Sequence, residues 1–279
     1  SIFSRLLYER RGLRRWQGKY HCLCMDKCGH YFIELYTNSI VAQLMIEVKN
    51  LYKSFGDVEV LKGISTFFEQ GKTNLIIGQS GSGKTVFLKC LLGLFDYNDG
   101  SISYDQDKFS GLTDAKKRIL RSKIGMVFQG SALFDSMSIL ENVMFPLRMF
   151  TNQNESEMQD RADAVLKRVN LIDAHSKMPS EASGGMQKRV AIARAIVNNP
   201  KYLFCDEPNS GLDPKTAIVI DNLIQEITRE YGMVTVINSH DMNSVMEIGE
   251  KIIFLKEGEK AWEGNKETIF KTDNKVVSD

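Results

Sequence analysis

A glycine-rich run that ends in a lysine and a threonine has the clearest potential for chemistry in this sequence. It fits the pattern G-x-x-x-x-G-K-[ST], and its residues are Gly78, Gln79, Ser80, Gly81, Ser82, Gly83, Lys84 and Thr85. Glycines let backbone N–H groups turn inward around an anion, because they carry no Cβ that would clash. In such a loop the lysine reaches the outer phosphates of a nucleotide, and the hydroxyl binds Mg²⁺. We therefore predict that this loop, with Val86 after it, binds nucleotide phosphates and that Lys84 takes part in catalysis.

Two adjacent acids close an apolar run in the second half of the sequence, where residues 201–207 read Lys-Tyr-Leu-Phe-Cys-Asp-Glu. This composition is typical of a strand buried on both faces of a parallel sheet, which would deliver the acids at its carboxyl end. Asp206 is predicted to hold Mg²⁺, and Glu207 to orient and polarise an attacking water. Taken alone, an apolar run before Asp-Glu is as often a plain strand end as a site. Its pairing with the glycine loop favours the site.

A second anion-binding turn precedes a helical pattern. Ser183, Gly184 and Gly185 come directly before apolar residues at helical spacing, so the turn would lie at a helix N-terminus, where the helix dipole favours an anion. One active site does not need two such loops for one γ-phosphate. The economical interpretation is that the serine turn covers ATP held by a second copy of the chain.

The order of these motifs resembles the ATPase domain of ABC transporters, from about Met45 to Phe270. The resemblance implies an α/β P-loop NTPase fold with an antiparallel β subdomain and a helical subdomain. It also implies ATP hydrolysis with Mg²⁺, an ATP-sandwich dimer of two copies, and transmembrane permease subunits as partners. Such a protein would be peripheral on the cytoplasmic face of the inner (plasma) membrane.

The same resemblance implies roles for four further residues. Gln129 would contact Mg²⁺ and water, and His240 would hydrogen-bond the γ-phosphate. Asp213 would close across the dimer, and Phe55 would stack on adenine. Gln129, His240 or Phe55, taken singly, would more often be structural, and it is their shared order and spacing that favours these roles. Ala182 and Met186 depart from the usual leucine and glutamine of the serine turn, but the serine and both glycines are present.

Hydrophobic periodicity predicts the elements that position these residues. Strands are expected over residues 46–51, 63–68, 73–77 and 234–238, and helices over 86–94, 139–149, 155–169 and from Pro214 to about Tyr231. Residues 256–260 are expected to turn a hairpin. The ATPase domain is predicted to span 45–272, with its helical subdomain at about 112–200 and a polar tail at 273–279. The flanking strand and helix favour a phosphate loop over a chance glycine-rich turn at residues 78–85.

Residues 1–44 differ in character from the rest, being basic and rich in aromatics. We expect an N-terminal extension, from a start assigned too early, with the functional chain beginning at Met45. Mass spectrometry of the native amino terminus tests this expectation, and peptides from before Met45 would contradict it. A basic amphipathic helix over residues 2–16, resting on a membrane surface, is one alternative for the segment. A zinc site at Cys22, Cys24 and Cys28 is another, although the spacing is unusual.

Composition limits the class of partner. The formal net charge is +1 and charged residues make up 25% of the chain, so no global field favours nucleic acid. No apolar stretch is long enough to span a bilayer. Motion of a cargo across a membrane therefore needs other chains.

Three segments bear on the cargo. Residues 130–134 (Gly-Ser-Ala-Leu-Phe), 139–147 and 178–186 together resemble the ATPase of Mla-type systems, which carry phospholipid with a permease and an MCE-domain protein. The alternative is another ABC system, for amino-acid import or lipoprotein release. A non-transport ABC ATPase acting on DNA or ribosomes is disfavoured, because the chain has one compact cassette without a long insertion.

Overall fold

The computed structural model describes residues 20–25, 31–36, 45–105 and 107–271. The chain divides into two compact units, Ser1–Gln43 and Leu44–Asp279. In the first unit, β1 (Tyr20–Met25) and β2 (Tyr31–Tyr36) form an antiparallel hairpin. Cys22 and Cys24 lie on β1, whereas Cys28, the amphipathic helix predicted over 2–16 and the tail at 273–279 lie outside the described residues.

The second unit alternates strands with helices. Its strands are β3 (Met45–Phe55), β4 (Val58–Glu69), β5 (Thr73–Ile77), β6 (Asp99–Tyr104), β7 (Asp107–Lys108), β8 (Ile124–Val127), β9 (Tyr202–Asp206), β10 (Val234–Asn238), β11 (Lys251–Lys256) and β12 (Glu259–Gly264). Its helices are α1 (Lys84–Leu91), α2 (Asp114–Ser122), α3 (Ile139–Phe150), α4 (Glu155–Arg168), α5 (Gly184–Ile196), α6 (Pro214–Tyr231) and α7 (Met242–Ile248). Short 3₁₀ turns lie at Phe109–Gly111, Pro179–Glu181 and Ile269–Lys271.

The central layer is a six-stranded sheet with the order β12-β11-β5-β10-β9-β8. Neighbouring strands from β11 to β8 run parallel, and β12 is antiparallel to β11. Successive side chains point to opposite faces, so a strand covered on both sides must be apolar throughout. Leu75 and Ile77 on β5 accordingly enter one core and Ile76 the other, and Leu203 and Phe204 on β9 divide in the same way.

Each face of this sheet has its own cover. One core contains apolar residues of α3, α4, α5 and α6, and the other contains those of α1, β3 and β4. A second, antiparallel sheet with the order β4-β3-β6-β7 supplies part of the latter. The fold is thus the predicted α/β class, with an antiparallel β part and a helical part. None of the helices in the described ranges combines the length and apolar composition that a bilayer crossing needs.

The largest difference from the predicted elements lies in the segment 112–200, which was expected to be mainly helical. It contains β8, an edge strand that pairs with β9 from Ile124 opposite Tyr202 to Val127 opposite Cys205. Four residues are too few to show a period, and only pairing with a distant strand defines them as a strand. The strand predicted over 63–68 is also longer in the structure, where β4 spans Val58–Glu69.

Gly125 on β8 sets how closely α5 approaches the sheet. A Cβ at this position would lie 2.3 Å from the backbone oxygen of Ala195 on α5. That separation is well inside van der Waals contact, so any larger residue must push the helix and strand apart. The small residue therefore permits direct helix–strand packing beside the site.

A buried carboxyl lies between α6 and α7. Asp221 on α6 is 3% exposed, and its Oδ2 accepts a hydrogen bond of 3.2 Å from Asn209 Nδ2. Asn209 Nδ2 also donates to Ser244 Oγ at 2.7 Å, and Ser244 Oγ donates to Asp241 Oδ2 at 3.4 Å. Burial raises the pKa of Asp221 to about 6, with a smaller contribution from the negative charge of Asp241.

We predict that Gly125→Ala lowers the free energy of unfolding by about 1–3 kcal/mol, because the added methyl group overpacks the α5–β8 contact. Chemical denaturation followed by circular dichroism measures the change. Gly111→Ala is the matched control, because a Cβ there meets no atom within 4 Å, and its effect should stay within about 0.5 kcal/mol. Equal effects of the two substitutions would contradict this account of the packing.

We predict that Asp221 weakens the fold as pH rises from about 4 to 7. The folded pKa of about 6 exceeds the ordinary value of 3.8, so the neutral carboxyl carries no penalty below pH 4. The folded state must ionise a buried group at higher pH, which costs on the order of 2–3 kcal/mol once the pH exceeds the folded pKa. Unfolding free energies of the wild type and Asp221→Asn, measured across this range, should diverge in the variant's favour. Curves that stay parallel would contradict the assignment.

Candidate functional site

The site forms where β5, β10 and β9 end at the same edge of the central sheet. Asn238, the last residue of β10, pairs in register with Ile76 on one side and with Asp206 on the other. Its Nδ2 donates to Asp206 Oδ1 at 3.0 Å, and its backbone oxygen accepts from the amide of Glu207 at 3.0 Å. Parallel strands thus bring the glycine loop after β5 and the acids at the end of β9 together around β10.

The glycine loop connects β5 to α1 through backbone angles that favour glycine. Gly78 has φ 150°, and a Cβ there would lie 2.2 Å from the backbone oxygen of Leu255. Gly83, which caps α1, has φ 98°, and a Cβ there would approach Leu61 and the Val60 carbonyl at 3.0 and 3.1 Å. Both glycines are therefore needed to turn the chain into a helix whose N-terminus faces the loop.

Lys84, the first residue of α1, lies folded back into this loop. Its ammonium donates to the backbone oxygens of Gly78 at 2.7 Å and Gln79 at 2.9 Å, and the residue is 7% exposed. Burial lowers the pKa of Lys84, and attraction to Glu207 and Asp206 acts in the opposite direction. A cation is thus held beside the phosphate loop, facing the two acids.

Glu207 follows β9 in the left-handed region of backbone space, with φ 46°. This conformation is uncommon for a residue with a side chain and is found where the surrounding structure imposes it. Here the amide of Glu207 donates to the carbonyl of Asn238, and its own carbonyl accepts from Ser210 at 3.1 Å. The chain turns away from the sheet at this point and leaves the carboxylate partly exposed at its edge.

Both carboxylate oxygens of Glu207 have side-chain partners. Gln129 Nε2 donates to Oε2 at 2.8 Å, and His240 Nδ1 lies 3.0 Å from Oε1. Gln129 Nε2 also lies 3.4 Å from Ser210 Oγ. Gln129 and Glu207 are 78 positions apart in the sequence, and Glu207 and His240 are 33 positions apart. Only the fold brings these three residues into one cluster.

The serine turn lies at the start of α5, as predicted. Ser183 caps this helix, with its Oγ accepting from the amide of Met186 at 3.4 Å, and both Ser183 and Gly184 are exposed. Ser183 and Gly185 line a groove that also contains Lys177 and Arg189. A helix N-terminus with two nearby cations suits an anion.

Asp213 and Phe55 lie apart from the Glu207 cluster. Asp213 caps α6 and accepts from the amide of Thr216 at 3.0 Å, and these hydrogen bonds lower its pKa. Phe55 is 44% exposed at the end of β3, with its ring edge-on to Phe95 at 5.4 Å. Among the described residues, no hydrogen bond joins Ser183 or Asp213 to Glu207, so one copy brings together only part of the predicted set.

The residues present fit a nucleotide with Mg²⁺. Ser82 is 5% exposed, and its Oγ has no hydrogen-bond partner among the described residues, which suits a polar group placed in the loop. The hydroxyl of Thr85, the carboxylate of Asp206 and the amide of Gln129 are oxygen donors of the kind that Mg²⁺ prefers. Thr85 is exposed and Asp206 partly so.

Several residues around the site were not singled out in the sequence. Lys188 and Arg194 on α5 contact the loop that begins at Gln129. Asn209, two residues after Glu207, donates a hydrogen bond to the buried Asp221. Lysines and arginines on an amphipathic helix are normally solvated, so no local pattern distinguishes these two. The burial of Asp221 was likewise not predictable, because an amphipathic helix normally has a polar residue every few positions.

Comparison with known proteins places the chain in a large group. A sequence profile described as "ABC transporter" matches residues 61–210. The methionine import ATP-binding protein MetN of Clostridioides difficile is 35% identical over 231 residues, which cover 83% of this chain and 72% of that protein. The glutamine transport ATP-binding protein GlnQ of Escherichia coli is 39% identical over 230 residues, which cover 81% and 94%.

Solved structures give the same result. The dimeric structure of MJ0796, a bacterial ABC transporter cassette, is 35% identical with a TM-score of 0.72 and covers 79% of this chain and 98% of that one. CbiO1 of Clostridium perfringens, part of the ABC transporter complex cbiONQ, is 30% identical with a TM-score of 0.76, covering 83% and 92%. The phosphate loop, the acids after β9 and these relatives lead to one conclusion: the chain belongs to the ATP-binding subunit family of ABC transporters, whose ATPase domain couples ATP hydrolysis to transport.

Proposed function

We propose that two copies of this chain enclose two ATP molecules and power an importer for a small polar solute such as an amino acid. The observation that carries the motor part is the convergence of Gln129 and His240 on Glu207 at the sheet edge that also holds the glycine loop. An oriented carboxylate beside a phosphate-binding loop is the arrangement that hydrolysis of a phosphoanhydride requires.

Glu207 would act on the attacking water. Its carboxylate is held from both sides, by Gln129 at 2.8 Å and by His240 at 3.0 Å, and this fixes the direction in which its lone pairs point. Fixing the base reduces the reorganisation needed when water loses its proton. His240 is exposed next to it and would reach the γ-phosphate, while Lys84 would meet the outer phosphates.

Thr85, Asp206 and Gln129 would hold Mg²⁺. With Nε2 of Gln129 on Glu207, the amide oxygen of Gln129 is left for a cation. Bound there, the ion supplies positive charge against the phosphate oxygens. The residues of the loop from Gly78 to Val86 would cradle the phosphates, and Phe55 would stack on the adenine with its exposed ring.

The second copy completes the site. Ser183 and Gly184 are exposed at the positive end of α5, and Asp213 is exposed at the start of α6. All three residues are therefore accessible to a neighbouring molecule. The related cassette MJ0796 is a dimer in two solved structures, one of them bound to ADP and Pi. We infer that Ser183, Gly184 and Gly185 of each copy face the nucleotide of the other, with Asp213 at the same contact.

The proposal of an amino-acid cargo rests on the names of relatives. MetN and GlnQ are named for methionine import and glutamine transport, and ArtM of Bacillus subtilis, 38% identical over 228 residues, is named for arginine transport. This support is stronger than that for phospholipid, which the sequence had favoured. In this proposal the chain docks on permease subunits at the cytoplasmic face of the plasma membrane.

Phospholipid transport is the second candidate. The segments 130–134 and 178–186 favour it through their resemblance to Mla-type ATPases, and an MCE-domain protein would then be a further partner. Residues 130–134 follow Gln129 directly. Ala132 and Phe134 line a groove together with Phe128 and residues of β8, α3 and α5. Apolar contacts with a permease at this place would vary with the system.

We predict that Glu207→Gln lowers the rate of ATP hydrolysis by at least about 100-fold, because the amide cannot accept a proton from water. The affinity for ATP should stay within about twofold, and ATP should hold the variant as a stable dimer. Steady-state phosphate release, nucleotide binding by fluorescence, and size-exclusion chromatography with ATP measure the three quantities.

Lys84→Ala serves as the contrasting variant. Loss of a charge-assisted contact with phosphate should weaken ATP binding by about tenfold or more, which Glu207→Gln does not do. Unchanged hydrolysis in Glu207→Gln would refute the role of Glu207, whatever Lys84→Ala does.

We predict that the chain, tagged and purified in mild detergent from its native membranes, carries a permease and an amino-acid receptor. Mass spectrometry identifies the companions. ATP hydrolysis by the complex in liposomes should then rise when the receptor is loaded with its amino acid. Recovery of an MCE-domain protein, with lipid transfer between labelled vesicles, would instead establish the second candidate.

A further inference from the structure

Two cations on α5 hold the loop that carries Gln129. Lys188 is 5% exposed, and its ammonium donates to the backbone oxygen of Gln129. Six residues further along the helix, Arg194 donates from Nη2 to the carbonyl of Ser131 and from Nη1 to that of Ala132, each at 2.7 Å. Three carbonyls of the segment Gln129–Ala132, here named the Gln129 loop, are thus bound to one helix.

The Gln129 loop has a conformation that needs such support. Ser131 and Ala132 have φ angles of 62° and 47°, so two consecutive residues with side chains lie in the left-handed region. This region is unfavourable for residues other than glycine and persists where the surroundings impose it. The carbonyls of these two residues are the ones that Arg194 binds, and the amide of Ser131 donates to the carbonyl of Phe128 at 2.9 Å.

Burying the Lys188 ammonium costs free energy, and the contacts of this side chain indicate its role. Burial lowers the pKa of Lys188, and attraction to the negative charge of Glu207 acts in the opposite direction. Within the described residues Lys188 has no carboxylate at ion-pair distance, unlike Lys251, whose ammonium lies 2.9 Å from Glu263. An apolar residue would fill the position at lower cost if packing alone were required. The ammonium of Lys188 instead donates a hydrogen bond to the carbonyl of Gln129.

We propose that Lys188 is a positioning residue for ATP hydrolysis, which holds Gln129 so that its amide meets Glu207, and that Arg194 is the second anchor of the same loop. The inference rests on the proposed roles of Gln129 and Glu207. It adds a direct mechanical connection between two motifs, because α5 begins beside Ser183. Lys188 lies about 7.5 Å along the helix from Ser183, at 1.5 Å per residue. A shift of α5 when Ser183 meets the second copy's nucleotide therefore moves Gln129 relative to Glu207.

A double-mutant cycle tests whether Lys188 acts through Gln129. Gln129→Ala, Lys188→Met and the double variant are compared by kcat, by the affinity for ATP and by thermal unfolding. We expect each single substitution to lower kcat by about tenfold or more, with ATP affinity within about twofold, because misplacement of a catalytic group slows the chemical step. The double variant should be no slower than the slower single variant. Once Gln129 has lost its amide, the hydrogen bond from Lys188 has no catalytic side chain to position.

Lys251→Met is the matched control. It removes another buried lysine, 6% exposed, whose partners Glu263 and Phe67 lie outside the Glu207 cluster. It should lower thermal stability without changing kcat at a temperature where the protein is folded. Lys188→Arg, which keeps N–H donors at this position, should retain more of kcat than Lys188→Met. If Lys188→Met does not fold, Arg194→Met takes its place in the same cycle.

Each outcome decides the question. If Gln129→Ala lowers kcat but Lys188→Met does not, or if their effects multiply, Lys188 has no positioning role and the inference is wrong while the proposed function stands. If Gln129→Ala leaves kcat unchanged, the proposed role of Gln129 fails and the inference fails with it. Non-additive loss, together with an inert Lys251→Met, supports the inference.

Discussion

The hydrogen bonds of Asn238 join the two parts of the chain that carry the chemistry. This residue is fully buried at the end of β10, between the strand that leads to the phosphate loop and the strand that ends in Asp206. Its side chain binds Asp206 and its carbonyl binds the amide of Glu207. The hydrogen bond from Asn238 Nδ2 fixes the direction of the Asp206 carboxylate, and the bond to the Asn238 carbonyl fixes the backbone at Glu207. The glycine loop and the acids meet because these three strands are parallel and end together.

A helix N-terminus and a lysine supply positive charge at this edge. The glycine loop opens α1, so its N-terminus and Lys84 oppose the charge of Asp206 and Glu207. Two carboxylates thus face one ammonium group at this edge. ATP and a divalent cation bring opposite charges of their own, which is why such an arrangement can accept both together. The edge of the sheet thus holds groups of both charges close together.

The residues around Glu207 are distinct from the surface on which selectivity for a cargo would depend. Every contact around Glu207 comes from the ATPase core, and the relatives that share this core are named for methionine, glutamine and arginine. The surface beyond Gln129, lined by aromatic residues near α3, lies outside that cluster. Selectivity for a cargo would enter through the partners that this outer surface contacts. Proteins that share this fold and are similar in sequence are thus named for transport of different solutes.

Local spacing in the sequence is enough to predict the glycine loop, the paired acids, the serine turn before α5 and the α/β fold class. The structure confirms the fold class and brings Lys84, Gln129, Asp206, Glu207 and His240 to one edge. Three features emerge only when the chain is folded: Ile124–Val127 is a strand, Asp221 is buried, and Lys188 donates to the Gln129 carbonyl. These facts depend on residues far apart in the chain, and no local period encodes a distant partner.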